Sequence, residues 1–394
     1  MKKSITIGDL GTIITGKTPP TTNKNYYGDY AVFIKPTDIS EQSKYTYETE
    51  EMYSKLAAEK YESSLIPKGA ICIPCIGTIG TKMTMAPCAC YTNQSINSIV
   101  CNENYDNEYV YYLIKNFLPG LKSYNLGTAS GREYVSKSNF EKIELVAEQD
   151  KDVQKRIGKM LSRYDSLIEN YQKQIKLLEE AAQRLYKEWF VDLHFPGHET
   201  TKIVDGVPEG WEKKAVSQLG DYLNGFAFKP SDWQTTGKPI IKIKEMGNGV
   251  GNDTPRNNGE RVPAKYLVKS GDLLFSWSAT LMVIVWSGDE GWLNQHLFKV
   301  TPSEGIGREF LLQSISNAIE EFQNLTTGST MKHIQRNKLD QVFVNVPNDE
   351  IMKSYSNIAE KTREQILHLS SQIRLLTEAR DRLLPKLMNG EIEV

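Results

Sequence analysis

The sequence has almost no excess charge and no long apolar run. Its 47 basic and 49 acidic residues give a formal net charge of −2, so any binding to a polyanion must use local patches of cations. The longest apolar stretch, residues 273–286, is too short and too polar to cross a bilayer. Gly8 and Asp9 interrupt the apolar segment that a signal peptide would need. We therefore expect a cytoplasmic protein with no membrane contact.

The motifs of common catalytic and metal sites are also missing. The sequence contains no HExxH, no GxSxG and no GxGxxG after a strand, and none of its five histidines pairs at metal-ligand spacing. All five cysteines lie between Cys72 and Cys101. Their CxC spacing is atypical of zinc sites, so buried free thiols are the better interpretation. The [DNS]PP[YFW] tetrapeptide of amino methyltransferases is absent as well. The sequence predicts no metal site and no catalytic residue.

One stretch does match an enzymatic motif. GTIITGKT at residues 11–18 fits the phosphate-loop pattern GxxxxGK[ST], in which Lys17 and Thr18 would contact a nucleotide. That motif requires a helix directly after the lysine. Pro19 and Pro20 follow here and disfavour a helix. A phosphate-loop NTPase is kept as an alternative function, which nucleotide binding by the parent chain and by Lys17→Ala would test.

Two stretches carry the pattern of paired helices. From Asp150 to Phe190, apolar residues recur at alternating steps of four and three, a period that predicts a long helix with a partner along one seam. A single helix across one globular core is the disfavoured alternative, because the periodic run is too long. Asp349–Met388 repeats the pattern, with Arg380 interrupting it and Pro385 predicting a kink or stop in the last turn. The seam residues are Ile157, Leu161, Tyr164, Ile168, Tyr171, Ile175, Leu178 and Leu185 in the first stretch, and Ile366, Leu369, Ile373, Leu376 and Leu383 in the second.

The two helices belong to a longer repeat. Five pairs of segments recur in one order, and subtracting their first positions gives offsets of 202, 201, 201, 199 and 198 residues. The pairs are Leu65–Ile73 with Leu267–Phe275, Asn93–Ser95 with Asn294–His296, Gly127–Thr128 with Gly328–Ser329, Asn139–Leu145 with Lys338–Val344, and Gln174–Leu185 with Gln372–Leu383. Such agreement predicts a tandem duplication, each copy being a mixed, strand-rich unit followed by a long helix.

The repeat and the two seams together predict the architecture. We expect an α+β fold in which two mixed, strand-rich domains are separated by two long antiparallel coiled-coil helices, with approximate two-fold symmetry. The predicted boundaries are 1–147 for the first domain, 148–194 for a central helix, 195–347 for the second domain and 348–394 for a C-terminal helix.

The remaining chemistry is that of recognition. Between Lys213 and Lys265, nine Lys or Arg accompany five acids, with Gly, Asn and aromatic residues interleaved. Cations of this kind suit phosphate contacts, and amide side chains suit contacts to base edges. Loops 76–82, 93–95 and 127–132 offer the same mixture, as do 276–280, 294–296 and 328–336. For any single residue, a solvated loop position is the alternative. The candidate DNA-contacting residues are Lys17, Thr18, Lys35, Thr78, Lys82, Asn93, Gln94 and Arg132 in the first copy, and Lys229, Lys242, Lys244, Ser276, Ser278, Asn294, Gln295, Lys332, His333 and Arg336 in the second.

Several motifs resemble one known family. RLYKEWFVDLHFPGHE at Arg184–Glu199, VPEGWE at Val207–Glu212 and RDRLLPKLMNGEIEV at Arg380–Val394 are similar to the specificity (S) subunits of type I restriction–modification systems, the HsdS family. The start IGDLGTIITGKTP, and LIPKGAICI with GTIGTK, fit the opening of that family's first recognition domain. The resemblance covers the whole chain.

The resemblance implies a non-catalytic, DNA-binding specificity subunit. Each strand-rich domain would be a target recognition domain reading one half of a bipartite site in double-stranded DNA, and the antiparallel helices would set the gap. Two methyltransferase (M) subunits would assemble around the chain into a DNA adenine methyltransferase. Added restriction (R) subunits would make an ATP-dependent endonuclease. S-adenosylmethionine would belong to the M partner, ATP and Mg²⁺ to the R partner, and no cofactor to this chain. The phosphate-loop match would then be accidental. A coiled-coil scaffold without DNA function remains a further alternative.

Overall fold

The computed structural model describes residues 2–77, 79–125, 127, 133–251, 253–325 and 336–394. It divides into two compact units: unit 1 is Met1–Asn170 with Leu375–Val394, and unit 2 is Tyr171–Arg374. Each unit contains one strand-rich domain and a part of each long helix. The predicted domain boundaries, which assign the helices separately, stay predictions. Within the described residues, no helix has the length and apolar character needed to cross a membrane.

Unit 1 is built from short strands around helix α2. Its described strands are β1 (Lys2–Thr6), β2 (Gly11–Thr15), β3 (Tyr27–Gly28), β4 (Ala31–Ile34), β5 (Met52–Tyr53), β6 (Ile71–Pro74), β7 (Thr84–Met85), β8 (Tyr91–Thr92), β9 (Ile96–Cys101) and β10 (Glu144–Glu148). Its helices are α1 (Lys55–Lys60), α2 (Asn107–Phe117), α3 (Lys137–Glu141) and the first part of α4 (Lys151–Tyr186). The Asp106 carboxylate caps α2 by accepting from the Tyr109 N–H at 3.0 Å. Six consecutive residues of α2, 109–114, are buried in the main core of the unit.

Three sheets organise these strands. One sheet has the order β2-β9-β6-β7 and is antiparallel, a second has the order β3-β5-β4-β8 with β4 parallel to β8, and β1 pairs with β10. The main core lies between the first sheet and α2, and Ile157 and Leu161 of α4 contribute to it. This packing joins the start of the long helix to the first domain.

Unit 2 repeats these sheets. Its strands are β11 (Ile203–Val204), β12 (Val207–Pro208), β13 (Glu212–Ala215), β14 (Gly220–Asn224), β15 (Lys238–Ile241), β16 (Arg256–Asn257), β17 (Leu267–Val268), β18 (Leu273–Ser276), β19 (Met282–Val285), β20 (Gly291–Leu293), β21 (Leu297–Pro302) and β22 (Phe343–Val346). Its helices are α5 (Ile243–Asn248), α6 (Arg308–Asn317), α7 (Ile319–Asn324) and most of α8 (Asp349–Asn389). The order β14-β21-β18-β19 matches β2-β9-β6-β7, the parallel pair β15/β20 matches β4/β8, and β13/β22 matches β1/β10. The predicted α+β fold and tandem repeat are confirmed.

Both long helices begin after an equivalent cap. The Asp150 carboxylate accepts from the Asp152 N–H at 2.9 Å before α4, and the Asn348 side chain accepts from the Ile351 N–H at 3.0 Å before α8. After Tyr186, α4 continues for one π-helical turn at Lys187–Val191. Helix α8 continues through Pro385 and ends at Asn389, one turn later; a kink at the proline stays a prediction. Proline lacks the N–H that would donate to the Asp381 carbonyl, so α8 loses one backbone hydrogen bond in this region.

The residues predicted to form the helix seam have low exposure, together with buried residues outside that set such as Asp165, Arg380 and Leu384. Every predicted seam residue is buried or half-buried. In unit 1, Arg380 of α8 binds Asp165 of α4, and Leu387 shares a core with Ile157. In unit 2, the rings of Tyr186 and Tyr355 lie 6.5 Å apart. In unit 1, a higher number on α8 thus meets a lower number on α4, and the two helices run antiparallel there.

Candidate nucleic-acid interface

Three segments of unit 1 meet where strands β2, β4 and β8 end. The Gly16 N–H donates to the Ile96 carbonyl at 3.2 Å, and the Lys17 N–H donates to the Thr92 carbonyl at 2.9 Å. The Asn93 N–H donates to the Ile34 carbonyl at 3.0 Å. These bonds hold the segment after β2 across the turn that carries the Asn-Gln pair. We call this edge, residues 16–18, 34–35 and 92–95, the first recognition edge.

The crossing of the segment after β2 over the Asn-Gln turn requires glycine at residue 16. A Cβ on Gly16 would lie 2.1 Å from the Thr92 carbonyl oxygen and 2.3 Å from that of Asn93. In unit 2, a Cβ on Gly225 would lie 2.0 Å from the Asn294 carbonyl oxygen. Backbone oxygens cannot move away as a flexible side chain does, so the same steric constraint is built into both copies.

Several sequence-predicted residues come together at the first recognition edge. Lys17 is exposed, and its Nζ donates to the Ser63 hydroxyl at 3.2 Å. The Thr18 hydroxyl donates to Oε1 of the exposed Gln94. The Asn93 side chain accepts from the Ser95 N–H at 3.1 Å, which shapes the turn. A cation, a hydroxyl and an oriented amide therefore share one surface.

The geometry around Lys17 is not that of a phosphate loop. Strand β2 ends at Thr15, and the next helical segment is a 3-10 turn at Lys24–Tyr26. In the part of this region that the structure describes, no α-helix starts before Lys55. The helix amino terminus that would face the phosphates is therefore missing there.

Two other lysines of the first copy face acids. Burial alone would lower the pKa of Lys35, but hydrogen bonds from its Nζ to Glu50 at 2.7 Å and Glu51 at 3.2 Å raise that pKa above its usual value. Lys82 is half-buried near Glu41 and Asp38, and burial lowers its pKa. Both cations are less available to a phosphate than Lys17.

The predicted loops of the first copy lie side by side. The Cys75 N–H donates to the Ser95 carbonyl at 2.7 Å, and the Val135 N–H donates to the Cys75 carbonyl at 2.9 Å. The Gly77 N–H donates to the Glu133 carbonyl at 3.0 Å. The loop after β6 therefore contacts both the Asn-Gln turn and the end of the third predicted loop. Thr78 and Arg132 lie outside the described residues.

Unit 2 builds the same edge with other side chains. The Gly225 N–H donates to the Leu297 carbonyl at 3.0 Å, the Phe226 N–H to Leu293 at 2.8 Å and the Asn294 N–H to Ile241 at 3.1 Å. We call residues 225–227, 241–242 and 293–296 the second recognition edge. Phe226 occupies the position of Lys17, and Lys242 occupies that of Lys35.

The Asn-Gln pair of unit 2 sits beside an aromatic contact. Gln295 is half-buried, with its Nε2 3.4 Å from Nε2 of His296. The His296 ring centroid lies 5.4 Å from that of Trp277. Asn294 is buried, and its backbone carbonyl accepts from the Leu297 N–H at 3.0 Å. Of the two predicted amides, Gln295 is thus the one that reaches the surface.

Other candidates of the second copy have different surroundings. The buried Ser276 hydroxyl accepts from the Met282 N–H at 2.9 Å and donates to the Thr280 carbonyl at 2.5 Å, so it closes its own loop. Ser278 is buried, Lys244 pairs with Asp253, and Lys229 is exposed. Lys332 and His333 lie outside the described residues, and Arg336 begins a 3-10 turn at Arg336–Lys338.

Sequence reasoning missed an exposed tryptophan beside the second recognition edge. Trp233 is 50% exposed, and the Lys242 Nζ lies 5.4 Å from its ring centroid. The adjacent Gln234 exchanges two backbone hydrogen bonds with Arg256, at 2.8 and 3.1 Å, which fixes the loop that presents the indole. The sequence does place this tryptophan in a polar, basic segment without apolar neighbours, a pattern that indicates an exposed indole.

Metal ions in proteins are held by groupings of side chains that lie close together. Among the described residues, no group of three or more His, Cys, Asp or Glu side chains could hold a metal ion. Burial raises the pKa of the Cys72 and Cys75 thiols to about 12, which keeps them protonated.

Comparisons with known proteins agree on one family. The model of the type I restriction modification DNA specificity domain matches residues 2–180 and 208–369. The type I restriction enzyme MjaIX specificity subunit of Methanocaldococcus jannaschii is 25% identical over 411 residues, which cover 98% of this chain and 93% of that relative. The HindI specificity subunit of Haemophilus influenzae is 38% identical over 144 residues, or 36% of this chain and 30% of that relative. The crystal structure of a type I S subunit from M. genitalium has a TM-score of 0.55 at 13% identity, with 98% and 96% of the chains covered, and so shares the fold.

Proposed function

The chain belongs to the type I restriction–modification DNA specificity family, and from that premise we propose how its two domains recognise DNA and assemble with partners. It is a specificity subunit with two tandem specificity domains, and such a subunit is not itself the catalyst. In our proposal, each recognition edge reads one half of a bipartite site, and the paired helices set the gap between the halves.

The observation that carries this proposal is the duplication of the recognition edge. The same three-way crossing, with glycine at its centre, presents Gln94 in one unit and Gln295 in the other. A glutamine amide can donate to and accept from an adenine edge in the major groove, contributing about 1–3 kcal/mol of discrimination. Thr18 orients the Gln94 amide, while Lys17 and Lys229 supply phosphate contacts that fix the position on the duplex.

Substitution of the two glutamines tests this assignment. The recognised site is first identified by mapping adenine methylation in the genome with and without the gene. Gln94→Ala and Gln295→Ala, each in the full complex, should then weaken binding to that site by roughly tenfold, in line with the loss of one base contact. Binding to random DNA should change little, because it depends on phosphate contacts. Gln149→Ala, at an exposed position outside both edges, is the matched control. Equal losses on specific and random DNA would remove both glutamines as readers.

We also propose that two methyltransferase subunits bind the long helices. Met160 and Leu177 of α4 are 36% and 64% exposed, and their equivalents on α8, Ile358 and Leu375, are 49% and 52% exposed. Both pairs differ by 198 residues, the offset of the helix repeat. Exposed apolar side chains at repeated positions suit two copies of one partner.

The number of bound methyltransferases can be measured by native mass spectrometry. Leu177→Lys and Leu375→Lys should each reduce two bound copies towards one, because a charge at one apolar face leaves the other face intact. Leu167→Lys is the control, since Leu167 is 43% exposed but has Gln365 at the equivalent position. Retention of two copies by all three variants would place the docking surface elsewhere.

The cofactors of the reactions fall to the partners in this proposal. S-adenosylmethionine would bind to the methyltransferase subunits, and ATP with Mg²⁺ to restriction subunits where these join. Calorimetric titration of the isolated chain should give no binding of S-adenosylmethionine, whereas the complex with methyltransferase should bind it. Binding by the isolated chain would contradict the assignment.

A further inference from the structure

One buried ion pair crosses the helix seam of unit 1. Asp165 of α4 and Arg380 of α8 are each 6% exposed, and an Arg380 Nη1 donates to Asp165 Oδ1. The Tyr112 hydroxyl donates to the other oxygen of Asp165. Arg380 Nε also donates to Asp381 at 2.8 Å. Both buried charges are therefore satisfied, and Arg380 is an ion-pair partner where the heptad pattern showed only an interruption.

At the positions of this ion pair, which we call the Asp165–Arg380 layer, equivalent residues of the two helices carry different charges. The helix offset of 198 residues makes Arg363 the equivalent of Asp165, and Ala182 the equivalent of Arg380. In unit 2, Arg363 is 5% exposed and donates to Glu309 of α6 at 2.8 and 3.2 Å. That cation is neutralised by the neighbouring domain helix and requires no acid from α4.

This asymmetry bears on pairing between like helices. The two seams are apolar and similar, so α4 could in principle pair with α4 of a second copy, and α8 with α8. The first pairing would put Asp165 opposite the partner's Ala182. The second would put Arg380 opposite the partner's Arg363. In both, a buried charge loses its counter-ion, which strongly destabilises the pairing.

We propose that Asp165 and Arg380 select the pairing partner, so that α4 pairs with α8 and a second copy of the chain is excluded from like-with-like pairing. A single buried polar contact can specify a coiled-coil partner in this way, because mismatched arrangements leave charges unsatisfied. The apolar seam stabilises the paired helices, and the ion pair determines which helix is the partner.

Charge inversion tests the proposal in the full-length chain. Asp165→Arg and Arg380→Asp each place two like charges at the layer. When the two variants are co-expressed with different tags, pairing of α4 from each chain with α8 from the other restores both ion pairs. We expect the two tagged chains to co-purify in a 1:1 ratio at twice the monomer mass, measured by light scattering. Differently tagged wild-type chains should not co-purify.

Two further variants separate selection from stability. The double variant Asp165→Arg/Arg380→Asp restores the pair within one chain and should be monomeric without co-purification. Arg363→Met also loses a buried ion pair, but its partner Glu309 is on α6 and methionine offers Arg380 no counter-ion, so it should lower the melting temperature without promoting exchange. The proposal is overturned if the co-expressed single variants remain monomeric. It is equally overturned if they are insoluble together while the double variant folds.

Discussion

Lys115, at the scale of a single residue, is an ammonium group held near other cations. Burial and then the charge of Arg380 lower its pKa from 10.5 to about 8. Because the folded pKa lies below the unfolded value, the charged lysine costs stability below pH 8, and this cost fades as pH rises from 8 to 10.5. Lys115→Met should therefore raise the free energy of unfolding by about 2 kcal/mol at pH 7, and by less at pH 9.5.

Urea unfolding at the two pH values measures this difference. Lys137→Met is the control, because the Lys137 side chain is 49% exposed on the same unit. If the stability gain for Lys115→Met were the same at pH 7 and pH 9.5, removal of a buried charge would not be its cause.

Trp233 is the second residue whose environment leads to a prediction. Its half-exposed indole lies beside Lys242, at the end of a strand whose Ile241 carbonyl accepts from Asn294 in the second recognition edge. Trp233→Ala should weaken specific DNA binding by about 1 kcal/mol, roughly fivefold, through loss of apolar contact and of the support for the ammonium. Phe343→Ala is the matched control: Phe343 is 51% exposed, with the Lys213 Nζ 5.8 Å from its ring, on the β13–β22 pair. Equal binding losses for both variants would contradict a local role.

At the scale of elements, the segment that follows β14 crosses the turn after β20, and this crossing depends on Gly225. An alanine Cβ there would lie 2.0 Å from the Asn294 carbonyl oxygen, so the backbone must shift. Gly225→Ala should lower the free energy of unfolding by about 2 kcal/mol and abolish specific binding. Gly247→Ala is the control, because its nearest neighbour would be Met282 Cε at 3.6 Å and alanine suits a helix. Thermal unfolding of both variants checks this, and equal melting temperatures would contradict it.

The elements also differ in how far the sequence predicts them. The long helices could be predicted from the 3.5-residue period, because the same apolar pattern recurs in each heptad. Their starts could be predicted as well, because Asp150 and Asn348 are helix-capping residues at equivalent positions. Many strands have only two residues, such as Tyr91–Thr92, and their pairing depends on distant segments that no local pattern reveals. Repetition likewise identified the Asn-Gln turns. It could not reveal that the Ser276 hydroxyl turns inward, because that depends on the shape of one loop.

At the scale of the whole molecule, the two copies share their backbone hydrogen bonds but differ in their side chains. Equivalent hydrogen bonds hold both recognition edges, yet Lys17 is replaced by Phe226. The lysine after β4 is bound by two glutamates, whereas its equivalent Lys242 lies against an indole. Two edges with one backbone and different surfaces suit two half-sites of different sequence.

In our proposal the two long helices set the gap between the half-sites, so that gap can be altered without changing the recognition edges. Deleting residues 168–174 and 369–375 removes one heptad from each helix and leaves Asp165 and Arg380 in place. Seven helical residues span about 10 Å, or roughly three base pairs. Mapping of methylated adenines should therefore show both half-sites unchanged and a gap about three base pairs shorter. Deletion of 168–174 alone puts the seams out of register, so methylation should be lost. Altered bases within a half-site, with an unchanged gap, would mean that the helices do not set the spacing.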